Sequence, residues 1–181
     1  MMKEFAARRL DVKAFAEEGG QLTGDEAVGQ HPRLLAETAG RGADLAVTWS
    51  AKGELRDPDH LQPGVWLHLQ ARTVLPLTCQ RCLDVVDVAV STDRSFRFVA
   101  DESTAAAQDD QSEEDLLALS RNFDLVELIE DELLMEMPVA PRHSVCPEPV
   151  KMAAADAGFD AAAAEQPNPF ALLQKLKTGK H

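Results

Sequence analysis

The sequence predicts an α+β fold: an antiparallel β-meander packed by an amphipathic helix, with short N-terminal helices and a C-terminal helical tail. Three observations predict it. Apolar residues alternate with a period of two from Leu45 onward. The period lengthens to that of a helix after Asp124. The strand–helix alternation of a dinucleotide-binding fold is missing. A chain of 181 residues, 45% of them hydrophobic, can bury a sizeable core without a disulfide or metal staple.

The elements follow in order. Residues 5–16 suit a short helix that Gly19 and Gly20 end, and a second short helix includes Arg33, Leu34, Leu35 and Ala36. Leu45, Val47, Trp49 and Ala51 share one strand face, and Gly53 supplies a turn. After Pro63 and Gly64, the residues Val65, Leu67, Leu69, Ala71, Thr73 and Leu75 share a face, with His68, Gln70 and Arg72 opposite. Residues 83–90 are rich in Val, and Phe96 to Val99 alternate again. Short turns between such strands indicate an antiparallel meander. Asp124 and Glu127 have capping-box spacing, Leu125, Val126, Ile129, Leu133 and Met137 form a helical stripe, and Pro138 stops the helix.

Three regions result. Residues 1–146 form a single α+β domain interrupted by an exposed acidic loop at about 101–114, which holds no apolar residue larger than Ala. Residues 147–167 are an Ala/Pro-rich linker. Residues 168–181 are a short basic helical tail: Asn168 caps, Pro169 suits the first turn, and Phe170, Leu173 and Leu176 give an apolar stripe.

Charge narrows the function. Eighteen basic against 31 acidic residues give a net charge of -13. That balance argues against a general nucleic-acid coat protein, because Lys and Arg supply most phosphate affinity. The acid is local: residues 101–136 hold 13 acidic residues and one base, Arg121, leaving the remainder nearly neutral. No apolar run is long enough to span a membrane, and the first residues carry no apolar signal core, so a cytoplasmic protein is expected.

The sharpest chemical feature is Cys79-Gln80-Arg81-Cys82, with His143-Ser144-Val145-Cys146 as its counterpart. Cys79, Cys82, His143 and Cys146 make a Cys3His set of the kind zinc favours in closed structural sites, and they use all three cysteines of the chain. Spacing alone leaves three readings open: reduced cysteines with local packing roles, a zinc site, and a redox pair. Zinc knuckles usually carry Gly after the second Cys, where this chain has Leu83. A strand-like setting weighs against the redox reading, which needs an activated thiolate. Arg81 can meet a phosphate or, more simply, pair with Glu130 or Glu132 of the helix. The helix carboxylates otherwise read as a solvated face. His143 and Ser144 are sequence neighbours, which does not make a nucleophile–base pair, and no nucleophile elbow, phosphate loop or H-E-x-x-H motif occurs.

Taken in order, several elements resemble one family: the Arg33-Leu34 element, Leu77-Thr78-Cys79-Gln80-Arg81-Cys82-Leu83, the run from Asp124 to Leu134, Met137-Pro138 with His143 and Cys146, and Asn168-Pro169-Phe170-Ala171-Leu172-Leu173. The combination is similar to the YceD family, the large ribosomal RNA subunit accumulation proteins, over roughly residues 33–177. The resemblance implies a role in accumulation of 23S ribosomal RNA and in large-subunit assembly, and it supplies no reaction. The expectation is a non-enzymatic assembly factor that meets a large-subunit precursor or an assembly protein. Arg81, Asn168, Phe170, Leu173, Lys175 and Lys177 are its candidate binding residues, with direct RNA contact open. The rival is a thiol oxidoreductase or a metal-dependent RNA-processing nuclease.

Overall fold

The computed structural model describes residues 4–56 and 63–148. The linker and tail at 147–181 fall almost wholly outside these, as do Asn168, Phe170, Leu173, Lys175 and Lys177. Contacts group the chain into one unit at Met1–Val145 and another at Cys146–His181.

The first unit is an α+β fold built on one sheet of five strands in sequence order. These are β1 (Gln21–Ala27), β2 (Ala46–Arg56), β3 (Gly64–Thr78), β4 (Val85–Val99) and β5 (Asp115–Ala118). The first four are antiparallel neighbours. β5 departs from the meander and runs parallel to β4, which requires a crossover. Helix α1 (Val12–Glu17) precedes β1, α2 (Pro32–Glu37) joins β1 to β2, α3 (Glu102–Gln108) lies in the crossover, and α4 (Leu125–Met135) follows β5.

The period-two pattern sets the buried face. Leu67, Leu69, Leu75 and Phe96 from the sheet are buried, as are Leu125, Ile129 and Leu133 of α4, a helix that packs against β3 and β4. Phe15 of α1 joins the same buried set, and Gly53 lets α1 approach. A Cβ at Gly53 would lie 2.6 Å from the Phe15 ring and 2.9 Å from the Ala16 backbone nitrogen. That residue, expected to make a turn, is a strand position kept bare for packing.

The acidic segment at 101–114 is not the loop its composition suggests. Asp101 caps α3 by accepting from the Thr104 amide at 2.8 Å, and Ala105 is buried. Gln108 accepts from Arg97 of β4 at 3.1 Å. Nor are the α4 carboxylates all solvated. Glu130 and Glu132 are buried. Glu130 accepts the Arg33 and Leu34 amides at 2.7 and 3.2 Å, taking two open donors of the first turn of α2, and also pairs with the Arg33 guanidinium at 3.0 Å. Glu132 takes Arg94 of β4 at 3.3 Å. Burial raises the Glu132 carboxyl, against the pull of Arg94.

His31, the N-cap residue of α2, is only 1% exposed. Its Nε2 lies 3.5 Å from the Glu26 carboxylate. Burial lowers the His31 pKa below its usual value, although Glu26 and Glu130 favour the charged form, and Arg8 adds to the lowering. A folded-state pKa below the unfolded one keeps the ring neutral in the fold. Its contribution to stability is full above the unfolded pKa and falls as pH drops through that value toward the folded pKa. Between pH 7.5 and 5.5 the wild type should therefore lose more of its melting temperature than a His31→Phe variant does. Equal losses would show that His31 is not buried neutral.

Candidate metal centre

Two chain segments build the centre. The first is the turn joining β3 to β4. The Cys79 amide bonds to the Asp84 carbonyl at 2.9 Å, and the Leu83 amide bonds to the Cys79 carbonyl at 2.9 Å. These bonds fold the tetrapeptide back and bring both cysteines to one side. The turn needs a left-handed residue, and Leu83 takes it with φ of 65°. The conformation of a knuckle is thus present where its usual glycine is not. A non-glycine residue there costs about 1 kcal/mol. Leu83→Gly should accordingly be neutral or raise stability by up to about 1 kcal/mol in a denaturant melt, whereas a loss would show that the Leu83 side chain packs.

The second segment follows α4. The Gln80 amide donates to the Pro141 carbonyl at 2.8 Å, which ties this segment to the turn at Pro141. His143 Nε2 lies 3.0 Å from the Val85 carbonyl, and its Nδ1 lies 3.3 Å from the Cys82 sulfur. Because a carbonyl only accepts, the proton belongs on Nε2, and Nδ1 presents its lone pair to the cysteines. Both ring nitrogens are thereby used, and His143 is not available as a base for Ser144.

One ligand atom from each of Cys79, Cys82, His143 and Cys146 lies within 4.8 Å of all the others. Cys146 is the first residue past the division of the chain and is held three positions from His143 by the backbone. Three thiolates at zinc–sulfur distances of about 2.3 Å stand about 3.8 Å apart in a tetrahedron, which this spacing accommodates. None of the three cysteines forms a disulfide. Cys79 is fully buried. Burial by itself pushes its thiol up, but the backbone N–H groups of Cys82, His143 and Arg81, with the Cys82 side chain, outweigh it and bring it down to about 5. The Arg81 amide reaches the Cys79 sulfur at 3.4 Å. Such a ring of donors suits a thiolate, the form that binds metal.

Arg81 itself is exposed and has no carboxylate partner among the described residues. The two partners expected for it are committed elsewhere, Glu130 to Arg33 and Glu132 to Arg94. Sequence reading missed the roles of Leu83 and of the Val85 carbonyl. Position after the second Cys was the available signal for the first, and nothing in the sequence marks the second.

Fold and centre together define a small sheet-and-helix protein with a Cys3His cluster whose four donors all come from its own chain. Residues 67–177 match the model of a family described as large ribosomal RNA subunit accumulation protein YceD, and the chain belongs to that family. The match begins after the Arg33-Leu34 element, which lies outside it. No solved structure matches the chain. Among the described residues no helix is long and apolar enough to cross a membrane.

Proposed function

We propose that this protein is a non-enzymatic ribosome-biogenesis factor that supports accumulation of 23S ribosomal RNA and assembly of the large subunit. In this reading Cys79, Cys82, His143 and Cys146 hold zinc as a structural staple. The observation that carries the reading, beside family membership, is the completeness of the donor set. Four protein ligands fill a tetrahedral zinc shell and leave no position for water or substrate, whereas catalytic zinc keeps one open. The burial of Cys79 weighs against a thiol oxidoreductase, whose attacking sulfur must be reachable.

The partner is a large-subunit precursor particle or an assembly protein in the cytoplasm. Arg81, exposed beside the centre, offers a phosphate or carboxylate contact there. Asn168, Phe170, Leu173, Lys175 and Lys177 form a second contact element, in a segment outside the described residues. Cells lacking the protein should hold less 23S than 16S ribosomal RNA, and the wild-type chain should restore the ratio. A chain carrying both Phe170→Ala and Leu173→Ala should keep the wild-type melting temperature and fail to restore it. A normal ratio without the protein contradicts the reading, and cleavage of precursor RNA by the purified chain would favour the nuclease.

A further inference from the structure

The sheet contains an open slot. β4 is a fifteen-residue strand, paired with β3 from Val85 to Phe98. On its other side only Phe96 to Val99 are paired, with β5. From Val85 to Ser95 that side meets no strand among the described residues.

The direction of the free backbone groups can be read from three bonds. The Asp84 carbonyl accepts from Cys79 and so points toward β3. The Val85 carbonyl meets His143, and the Val99 carbonyl accepts from the Leu119 amide, so both point away from β3. The β3–β4 register has no bulge from Thr78↔Val85 to Val65↔Phe98. Alternate residues of an unbroken strand turn both backbone groups the same way. Asp87, Ala89, Ser91 and Asp93 therefore aim their N–H and C=O groups outward. All four are exposed, and no backbone bond to them from outside β3 occurs among the described residues. The slot is bounded at one end by the His143 ring on Val85 and at the other by the start of β5 at Asp115. Its seven residues span about 23 Å.

A row of free backbone groups is a template for another strand, and natural proteins cover or blunt such rows. Its charge indicates what fits. Asp87 and Asp93 are exposed along the slot, with Asp84 just beyond its near end and Glu114 and Asp115 at its far end; Asp93 also meets His68 and Gln70 of β3, and Asp115 pairs with Arg94. A second copy of this chain would bring the same acidic residues to the same edge, and in the register centred on Val90 it would set Asp87 directly opposite Asp93, where like charges destabilise a sheet. We infer that this edge of β4 binds an extended, basic segment of a protein partner by strand addition, with backbone bonds giving affinity and the carboxylates selecting Lys and Arg. The inference stands on backbone geometry and goes beyond the assembly reading, so it holds whether or not zinc is bound.

The test uses the full-length protein and a fluorescent twelve-residue peptide of alternating Lys and Thr. Controls are its Glu/Thr counterpart and a version interrupted by Pro. Anisotropy at low salt should show saturable binding of the Lys/Thr peptide at least tenfold tighter than either control. Hydrogen exchange should slow on binding at Asp87, Ala89, Ser91 and Asp93. Ala89→Pro removes one outward N–H without breaking a bond to β3, so it should cut affinity at least tenfold at an unchanged melting temperature. Should that variant melt early, the pair Asp87→Lys and Ala89→Lys keeps the edge and reverses its charge, with the same loss expected. Binding unaffected by these changes, protection elsewhere, or no binding overturns the inference. So does protection of the four amides in the protein alone, which would mean that its own chain or a second copy fills the slot.

Discussion

On the zinc reading, a Cys79→Ser variant should lose the metal and melt roughly 10 °C below the zinc-loaded wild type. The size follows from linkage. A metal present at about a thousand times its dissociation constant, bound only by the folded state, adds about 4 kcal/mol to the stability of that state. Cys79 is the most deeply placed sulfur of the set and the one whose neighbours hold it as a thiolate. Serine is close in shape and is a poor ligand at neutral pH, so the substitution removes the donor with little change in packing. Chelator should lower the wild type to the level of the variant and leave the variant where it is. If the variant melts with the wild type and chelator moves neither, the four side chains are neighbours without a metal.

The second large effect lies away from the centre. Glu130→Ala should destabilise the domain by about 3 kcal/mol, because it leaves the Arg33 and Leu34 amides without their acceptor and opens a void under α2. Glu130→Gln keeps one carbonyl oxygen for those amides and should cost about half as much. Hydrogen exchange locates the damage: in the Ala variant the amides of α2 should exchange faster while those of central β3 keep their relative protection. A loss below about 1 kcal/mol would mean that water takes the place of the carboxylate.

These contacts mark where the sequence is legible and where it is not. β2, β3 and β4 announce themselves because alternate residues must face the core, and α4 does so through Asp124 and its apolar stripe. β1 does not: in Gln21-Leu22-Thr23-Gly24-Asp25-Glu26-Ala27 the one large apolar side chain is Leu22, and the strand exists because β2 offers it a partner. Helix α3 docks through Ala105 and through the Gln108 contact to Arg97, so no apolar stripe betrays it. Glu130 and Glu132 share the charge of a solvated face, and their partners lie 97 and 38 positions away. Tertiary pairing decides which carboxylates are buried, and a helical period cannot report it. β5 is four residues long and parallel to β4, too short to show any period of its own.

The centre divides in the same way. Spacing within Cys79-x-x-Cys82 and His143-x-x-Cys146 singles out the four candidate donors, since each segment is local. Their meeting depends on the Gln80–Pro141 bond across the domain. The choice of Nδ1 as the free nitrogen depends on the Val85 carbonyl, a backbone group that carries no residue-type signal.

The most direct test of the metal centre is zinc X-ray absorption on the full-length protein purified without chelator, read together with its metal content. The expected result is one zinc per chain, with three sulfur neighbours at about 2.3 Å and one nitrogen at about 2.0 Å. Zinc far below one per chain, a shell without sulfur, or a metal content that survives replacement of Cys79, Cys82 and Cys146 by Ser would contradict it.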